Sequence, residues 1–404
     1  MTVFVARQPI LDRTRRTCAY ELLYRSSPDS GYDAPDADRA TLEVIDTSFH
    51  VVGLDALTGR RRAFVNFTRE TLLKGYATSL PRECLVVEVL EDVAPDAEVL
   101  EACRGLKAAG YPVALDDVIT ADLPGVLVDL ADIVKVDFRL TDRATRSQIA
   151  RAFRGRGVRL LAEKVETDSE FRQAYADGYE LFQGYFFARP NVVSGRAIPA
   201  VKQNLLRLLH EAHRPDPNHR HFEEIIRQDM GIAFKLLAHL RGAAWGQRRP
   251  VDSVRNALLL LGDRGIRKWA SIVAIATLGQ DRPPELVVTS LVRASFCEGI
   301  MTDRDSGPMG EEGFLVGLFS TIDTFLDLPL REALDRLALD DTVSAALLGG
   351  GHALRSVLDL ALAYERGDWA DVSRLATVVG VAADRLPPRY REAVAFGNAA
   401  LAAA

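Results

Sequence analysis

The sequence predicts an α/β region built on a parallel sheet, followed by an all-α region. Up to about residue 190, short apolar runs alternate with helical stretches of roughly 10–20 residues, a pattern typical of βαβ units. Beyond residue 200 the strand signal vanishes and only helical periodicity remains. A chain of 404 residues is expected to form two or three domains. We therefore predict domains at residues 1–200 and 201–404.

Seven apolar segments of the first region are predicted as strands. They are Cys18–Tyr24, Ala63–Phe67, Leu85–Val89, Pro112–Leu115, Ile133–Val136, Val158–Ala162 and Leu181–Phe182. The helices predicted between them are Thr41–Leu57, Asp96–Ala109, Ala144–Arg154 and Asp168–Ala176. The strands are apolar on both faces, which predicts a sheet covered by helices on both sides. Two closures fit this pattern, an open doubly wound sheet and a (β/α) barrel.

The second region is predicted as many short helices. They are Val201–His213, Phe222–Leu240, Ser253–Leu261, Ile266–Leu278, Glu285–Thr302, Gly313–Phe325, Ala353–Glu365 and a last helix ending at Ala399–Ala404. Gly262 is placed where a glycine commonly ends a helix, and Pro283-Pro284 separates another pair.

Composition and charge narrow the class of protein. The 50 Lys and Arg residues and 56 Asp and Glu residues give a formal charge of −6, which argues against nucleic-acid binding driven by charge. Four scattered cysteines do not form a disulfide framework. No apolar run approaches the roughly 18 residues needed to span a bilayer. We therefore expect a reduced, cytoplasmic protein that is not bound to a membrane.

Each predicted strand of the first region stops at a polar residue. These residues are Glu21, Asn66, Glu88, Asp116 followed by Asp117, Lys135, Glu163 and Gln183. In a (β/α) barrel they would gather at the C-terminal rim, where such folds keep their active sites. The first half has a single histidine and no paired cysteines, whereas carboxylate and amide oxygens suit Mg²⁺ or Mn²⁺. Such a cluster suits attack of water on a phosphodiester.

Eight short motifs in the first region resemble, in order, the signature of EAL domains. They are Arg7–Ile10, Glu21–Arg25, Val65–Thr68, Glu88–Glu91, Asp116-Asp117, Lys135–Asp137, Ala162–Thr167 and Gln183–Tyr185. EAL domains are (β/α) barrel enzymes that hydrolyse the bacterial second messenger cyclic di-GMP to a linear dinucleotide. The resemblance therefore implies a TIM-like barrel over residues 1 to about 200, with Mg²⁺ or Mn²⁺ as cofactor.

The resemblance also implies a role for each matching residue. The implied metal ligands are Glu21, Asn66, Glu88, Asp116 and Glu163, with Asp117 holding a second metal. Lys135 would assist the attacking water, supported by Glu166 and Gln183. On the substrate side, Arg25 and Gln183 would contact the dinucleotide. Glu91 matches the residue that anchors the loop after Asp117.

The second region resembles an HDOD domain, a helical relative of HD-type phosphohydrolases that lacks their metal site. The matching segments are Ile225–Asp229, Lys235–Leu237, Val254–Leu258, Leu261-Gly262 and Arg267–Trp269. None of the seven histidines is followed by aspartate, a pair that HD-type hydrolysis needs. The whole chain thus resembles bacterial EAL–HDOD signalling proteins. That resemblance implies cyclic di-GMP and a protein bound through the helical half as partners, and it allows a homodimer.

Two departures from the EAL pattern leave two functions open. Val118–Asp122 replaces a loop that normally reads Phe-Gly-Thr-Gly and that couples dimerisation to metal binding in active relatives, and Lys164 replaces a usual glycine. β-Branched Val118 and Ile119 resist the positive φ angles that glycine allows. The complete ligand set favours a phosphodiesterase. The altered loop favours a non-catalytic receptor or scaffold that acts through protein–protein interaction.

Overall fold

The computed structural model describes residues 4–25, 54–123, 125–188, 200–214, 217–241, 253–304, 309–337, 339–351 and 353–403. The predicted helix Thr41–Leu57 lies outside these ranges except for its last residues, which belong to the short helix Leu54–Thr58. The side chain of Arg25 also lies outside the described part.

A closed barrel forms from eight strands of the described residues. They are β1 Phe4–Asp12, β2 Thr17–Arg25, β3 Arg62–Phe67, β4 Leu85–Val89, β5 Val113–Leu115, β6 Ile133–Asp137, β7 Arg159–Glu163 and β8 Leu181–Gln183. Strands β2 to β8 pair in parallel, and β1 is antiparallel to both β2 and β8. Of the two predicted closures, the barrel is the one that forms. β1 is absent from the predicted strands because Arg7, Gln8 and Pro9 interrupt its apolar pattern.

Helices connect the strands of the barrel. They are α1 Leu54–Thr58, α2 Arg69–Leu73, α3 Ala97–Ala108, α4 Gly125–Leu130, α5 Arg143–Phe153 and α6 Asp168–Asp177, with 3₁₀ turns at Tyr76–Ser79 and Tyr185–Ala188. Local chemistry sets where they begin. Asp96 accepts the N–H groups of Glu98 and Val99 at the start of α3. Thr167 and Glu170 form a reciprocal capping box at the start of α6.

The interior of the barrel contains an apolar layer to which every strand contributes one side chain. Its members are Ile10, Ala19, Phe64, Val86, Ala114, Ile133, Leu161 and Leu181. All of them are buried. Because eight strands leave room only for packed side chains, this layer closes the barrel and forms a floor beneath anything that lies nearer the rim.

The remaining described chain is helical. Its helices are α7 Ala200–Ala212, α8 His219–Arg227, α9 Met230–Arg241, α10 Val254–Leu278, α11 Pro284–Arg304, α12 Met309–Phe319, α13 Ile322–Leu326, α14 Leu330–Asp335, α15 Asp341–Leu347, α16 Ala353–Arg366, α17 Trp369–Val379 and α18 Leu386–Ala403. Phe222–Leu240, predicted as one helix, is divided between α8 and α9. The two helices predicted on either side of Gly262 run on as α10, with a kink at that glycine (φ 63°). Among the described helices, none is long and apolar enough to cross a membrane.

Two compact units are present, and their boundaries differ from a simple division of the chain at residue 200. One unit comprises residues 1–189 together with 359–394, and the other comprises residues 190–358 together with 395–404. Much of the last part of the predicted helical half is therefore grouped with the barrel. Whether 1–200 and 201–404 fold as separate domains stays a prediction.

The turn between α16 and α17 lies against strands β1 and β2. The Trp369 ring meets the Phe4 ring edge-on with centroids 6.0 Å apart. The side-chain amide of Gln8 donates to the carbonyl of Arg366 at 3.2 Å. Gly367 has a φ of 68°, and a Cβ there would lie 2.7 Å from Cδ1 of Leu23. This contact requires a residue that tolerates positive φ and has no side chain.

This packing predicts that Trp369→Ala destabilises the barrel although residue 369 follows the whole HDOD-like region in sequence. Truncating a buried Trp in a core costs about 3–5 kcal/mol. Amide exchange measured by mass spectrometry should therefore become faster in peptides from residues 4–25. Val378→Ala is the matched control because Val378 is 61% exposed on the same helix. Equal exchange in the two variants would contradict the structural role of Trp369.

Candidate active site

A ring of polar side chains lies one layer above the apolar floor of the barrel. Successive side chains of a strand point to opposite faces, so the residue two positions along faces the same interior. Counting two positions from each floor residue towards the rim gives Gln8, Glu21, Asn66, Glu88, Asp116, Lys135, Glu163 and Gln183. The strand register places Gln8 opposite Glu21 and Asn66 opposite Glu88. The seven strand-end positions predicted from sequence therefore come together in one ring.

Lys135 lies at the centre of the acidic side chains of this ring. Its ammonium is 2.9 Å from Asp116 Oδ1, 2.9 Å from Glu163 Oε1 and 3.7 Å from Glu21 Oε2. It also forms an ion pair with Glu88, a side chain that is fully buried. The ammonium itself is buried as well. One cation therefore serves four carboxylates, which leaves three formal negative charges if all four are ionised.

Burial, together with this excess of negative charge, raises the pKa values of two of the carboxyl groups. Burial, reinforced by the charges of Glu163 and Glu21, raises the pKa of Asp116 to about 10. Burial also raises the pKa of Glu163 to about 7, although the Lys135 ammonium opposes the shift. Without a further cation the site retains protons, because buried like charges disfavour ionisation. A bound cation would favour the ionised forms instead.

The buried oxygen atoms of the ring fit a divalent ion. Oε2 of Glu88, Oε2 of Glu163 and Oε1 of Gln183 are buried and lack a hydrogen-bond partner among the described residues. Carboxylate oxygens of Asp116, Asp117 and Glu163 lie within 4.8 Å of one another. Buried polar atoms are nearly always satisfied, so orphaned oxygens indicate a missing partner. Hard oxygen donors are the ligands that Mg²⁺ and Mn²⁺ prefer.

Gln8 is a ring member that is not among the site residues predicted from the sequence. The amide nitrogen of Gln183 donates to Gln8 Oε1 at 2.8 Å and to Glu21 Oε2 at 2.6 Å. The Gln183 amide is thus held between β1 and the Glu21 carboxylate. Because β1 is antiparallel, its polar residue precedes its floor residue Ile10. The alternation of Ala6, Gln8 and Ile10 is the signal that could have identified it.

The loop after Asp117 follows a path that needs no glycine. Among residues 116–123, which are all described, only Asp117 has a positive φ, at 42°. Val118 is buried and its N–H donates to the Lys135 carbonyl at 2.9 Å, whereas Ile119 is 55% exposed. The left-handed turn therefore falls on the aspartate itself. Aspartate tolerates this conformation better than a β-branched residue does.

A second left-handed residue lies beside Glu163. Lys164 has a φ of 52° and a half-exposed side chain. Its ammonium forms an ion pair with the buried Asp137 carboxylate and is 3.9 Å from Asp117 Oδ1. Burial pushes the pKa of Asp137 upward, but the Lys164 hydrogen bond and two backbone N–H groups outweigh it and leave that pKa lowered.

The three other residues implied by the resemblance are not members of the ring, and one of them has its side chain outside the described part. Glu166 is half-buried, and Arg139 Nη1 lies 3.9 Å from its carboxylate. Glu91 is exposed and has no hydrogen bond or ion pair to any described residue. The side chain of Arg25 is not among those described. The roles of these residues stay predictions.

Comparisons with known proteins agree with the architecture. The model of the EAL domain matches residues 52–190, and the model of the HDOD domain matches residues 198–332. Uncharacterized protein YuxH of Bacillus subtilis is 37% identical over 93% of this chain and 93% of its own length. Cyclic di-GMP phosphodiesterase CdgJ of Vibrio cholerae is 34% identical over 94% of this chain and 88% of its own length.

Among solved structures, BlrP1 of Klebsiella pneumoniae in complex with calcium and cyclic di-GMP matches with a TM-score of 0.39 and 22% identity. That match covers 47% of this chain and 56% of BlrP1. The two domain matches, in this order, and the near full-length relatives lead to one assignment. The chain belongs to the family of two-domain proteins in which an EAL domain is followed by an HDOD domain.

Proposed function

We propose that the barrel binds Mg²⁺ or Mn²⁺ together with cyclic di-GMP and hydrolyses the cyclic dinucleotide to its linear form. The observation that carries this proposal is the buried Lys135 ammonium inside a ring of carboxylates, two of which, Glu88 and Glu163, each keep a buried oxygen without a partner among the described residues. Support also comes from CdgJ, a relative named as a cyclic di-GMP phosphodiesterase that aligns over nearly the whole chain.

In this proposal the ring residues hold the metal. The ligands are Glu21, Asn66, Glu88, Asp116 and Glu163, with Asp117 for a second ion. A divalent ion bound there supplies positive charge that stabilises the phosphate as water attacks it. Gln183 fixes the Glu21 carboxylate through its 2.6 Å hydrogen bond. Lys135 offers a proton-bearing cation at the centre of the ring, which suits it to orient the water or offset charge on the phosphate.

A non-catalytic receptor is the second candidate, and specific observations favour it. Asp117, the residue expected to hold a second metal, takes a left-handed conformation and lies 3.9 Å from the Lys164 ammonium. Hydrolysis with two metals requires both ions to be positioned together. Such a barrel would bind the dinucleotide without hydrolysing it and act through its partners.

For the HDOD domain we propose a non-catalytic role as a module that binds a protein partner. The sequence contains no histidine followed by aspartate. Within the described residues, the one group of acidic, histidine or cysteine side chains close enough to hold a metal lies in the barrel. Assembly into a homodimer stays a prediction of the family resemblance.

Metal binding at the ring is tested by Glu88→Gln and Glu88→Ala. Both remove a buried carboxylate from the ring, so we expect Mn²⁺ affinity to fall at least about tenfold, as losses around metal sites commonly do. Isothermal titration calorimetry measures this directly. Glu101→Gln is the matched control, since Glu101 pairs with Arg104 on an exposed helix face. Equal heats in wild type and both Glu88 variants would argue against the site.

The effect of the altered loop is tested by replacing Val118–Ala121 with Phe-Gly-Thr-Gly. We expect slow turnover of cyclic di-GMP by the unmodified protein and a rise of at least about tenfold in the variant, because the new loop lets Asp117 be aimed differently. Lys135→Met in that variant should remove at least about 100-fold of the rate. Chromatography of the linear dinucleotide measures all three proteins. Brisk turnover by the unmodified protein would refute the loop argument. The phosphodiesterase would then be the only one of the two candidate functions that remains.

A further inference from the structure

Two residues with strained backbones meet at the edge of the polar ring. Asp117 directly follows the ring member Asp116, and Lys164 directly follows the ring member Glu163. Both have positive φ angles, 42° and 52°, which residues other than glycine rarely adopt. Strained residues of this kind tend to cluster at functional sites, where the surrounding structure fixes them. Here the strain brings an ammonium beside a carboxylate.

The backbone directly after Lys164 is held by close packing. The N–H of Val165 donates to the Gln183 carbonyl at 2.9 Å, and the N–H of Phe186 donates to the Val165 carbonyl at 3.2 Å. Gly184 presses on this segment so closely that a Cβ there would lie 2.1 Å from the Val165 oxygen. The segments that follow β7 and β8 therefore hold the backbone next to residue 164 in place, and the ion pair with Asp137 holds its side chain.

The Lys164 ammonium is placed between two acidic side chains. It bonds to Asp137, which is fully buried and also accepts the N–H of Leu140 at 3.0 Å, and it lies 3.9 Å from Asp117 Oδ1. Asp137 follows Lys135 by two positions on β6, so it faces the same interior nearer the rim. Without Lys164 these two carboxylates would carry two adjacent negative charges. That is the charge a divalent ion neutralises.

We propose that Lys164 acts as an internal cation that takes the place of a second divalent ion beside Asp117. The ring around Lys135 then accepts one metal, while the Lys164 ammonium offsets one of the two negative charges of Asp117 and Asp137 and backbone N–H groups of Arg139 and Leu140 stabilise the Asp137 carboxylate. This inference rests on the metal-binding ring of the proposed function but replaces the second ion placed there at Asp117 with the Lys164 ammonium, which leaves one metal per barrel. Lys164 is a positioning residue, since it acts on the Asp117 carboxylate and not on the reacting phosphate.

Mn²⁺ titration of the full chain without nucleotide tests this proposal. Calorimetry should give one Mn²⁺ per chain for wild type. Lys164→Met, which keeps the length of the side chain and removes its charge, should bind a second Mn²⁺ at least tenfold more tightly than any further ion in wild type. Electron paramagnetic resonance should then show broadening from two neighbouring Mn²⁺ ions. Lys164→Arg, which restores the charge, should return to one ion.

Lys107→Met is the matched control. It removes an ammonium that pairs with Asp132 at 2.9 Å at the opposite end of β6, and it should leave the stoichiometry at one. Two ions in wild type, or the same stoichiometry and affinity in wild type and Lys164→Met, would overturn the proposal. These readouts need no cyclic di-GMP, so absence of dinucleotide binding or turnover would count against the proposed function and leave the metal stoichiometry to be judged separately.

Discussion

The period of two along a β-strand is the constraint on which the barrel floor and the polar ring both depend. On β2, Ala19 faces the interior and Glu21 faces it again one layer nearer the rim; Leu161 and Glu163 repeat this on β7. Because each strand does the same, a sealed apolar layer supports a continuous polar one. A shift of one residue in the register of a strand would turn its floor and ring residues to the outer face of the barrel and turn its outward residues to the interior.

The electrostatics of the site follow from this layering. Carboxylates above a sealed apolar floor are poorly solvated, so their mutual repulsion is strong and protonation competes with ionisation. Lys135 relieves part of the repulsion from inside the ring, and Lys164 relieves another part from its edge. Two lysines, one on β6 and one directly after the neighbouring strand β7, thus divide the acidic rim into an inner and an outer set. The inner set contains the oxygens without partners. A metal bound there would supply those oxygens with a partner.

The strand ends could be predicted from sequence because a parallel strand places its rim residue directly after its apolar run, as in Val87-Glu88 and Ala162-Glu163. Gln8 was not predicted because β1 is antiparallel to its neighbours, so its ring residue precedes its apolar floor residue in the sequence. The contact of Lys164 with Asp137 depends on loop packing against Gly184, which no local pattern encodes. The segment around Trp369 has an ordinary amphipathic helical pattern, and that pattern does not state which surface the helix covers.

The grouping of residues 359–394 with the barrel has a consequence for synthesis of the chain. The barrel unit is interrupted by 169 residues, 190 to 358, before its last part is translated. At roughly 5–20 residues per second, this insertion takes a ribosome roughly 10–30 s. During that interval Phe4 and Leu23 lack the cover that Trp369 and Gly367 later provide. A nascent chain that has not reached residue 359 therefore leaves these two apolar side chains without that cover, and exposed apolar surface of this kind is what chaperones bind.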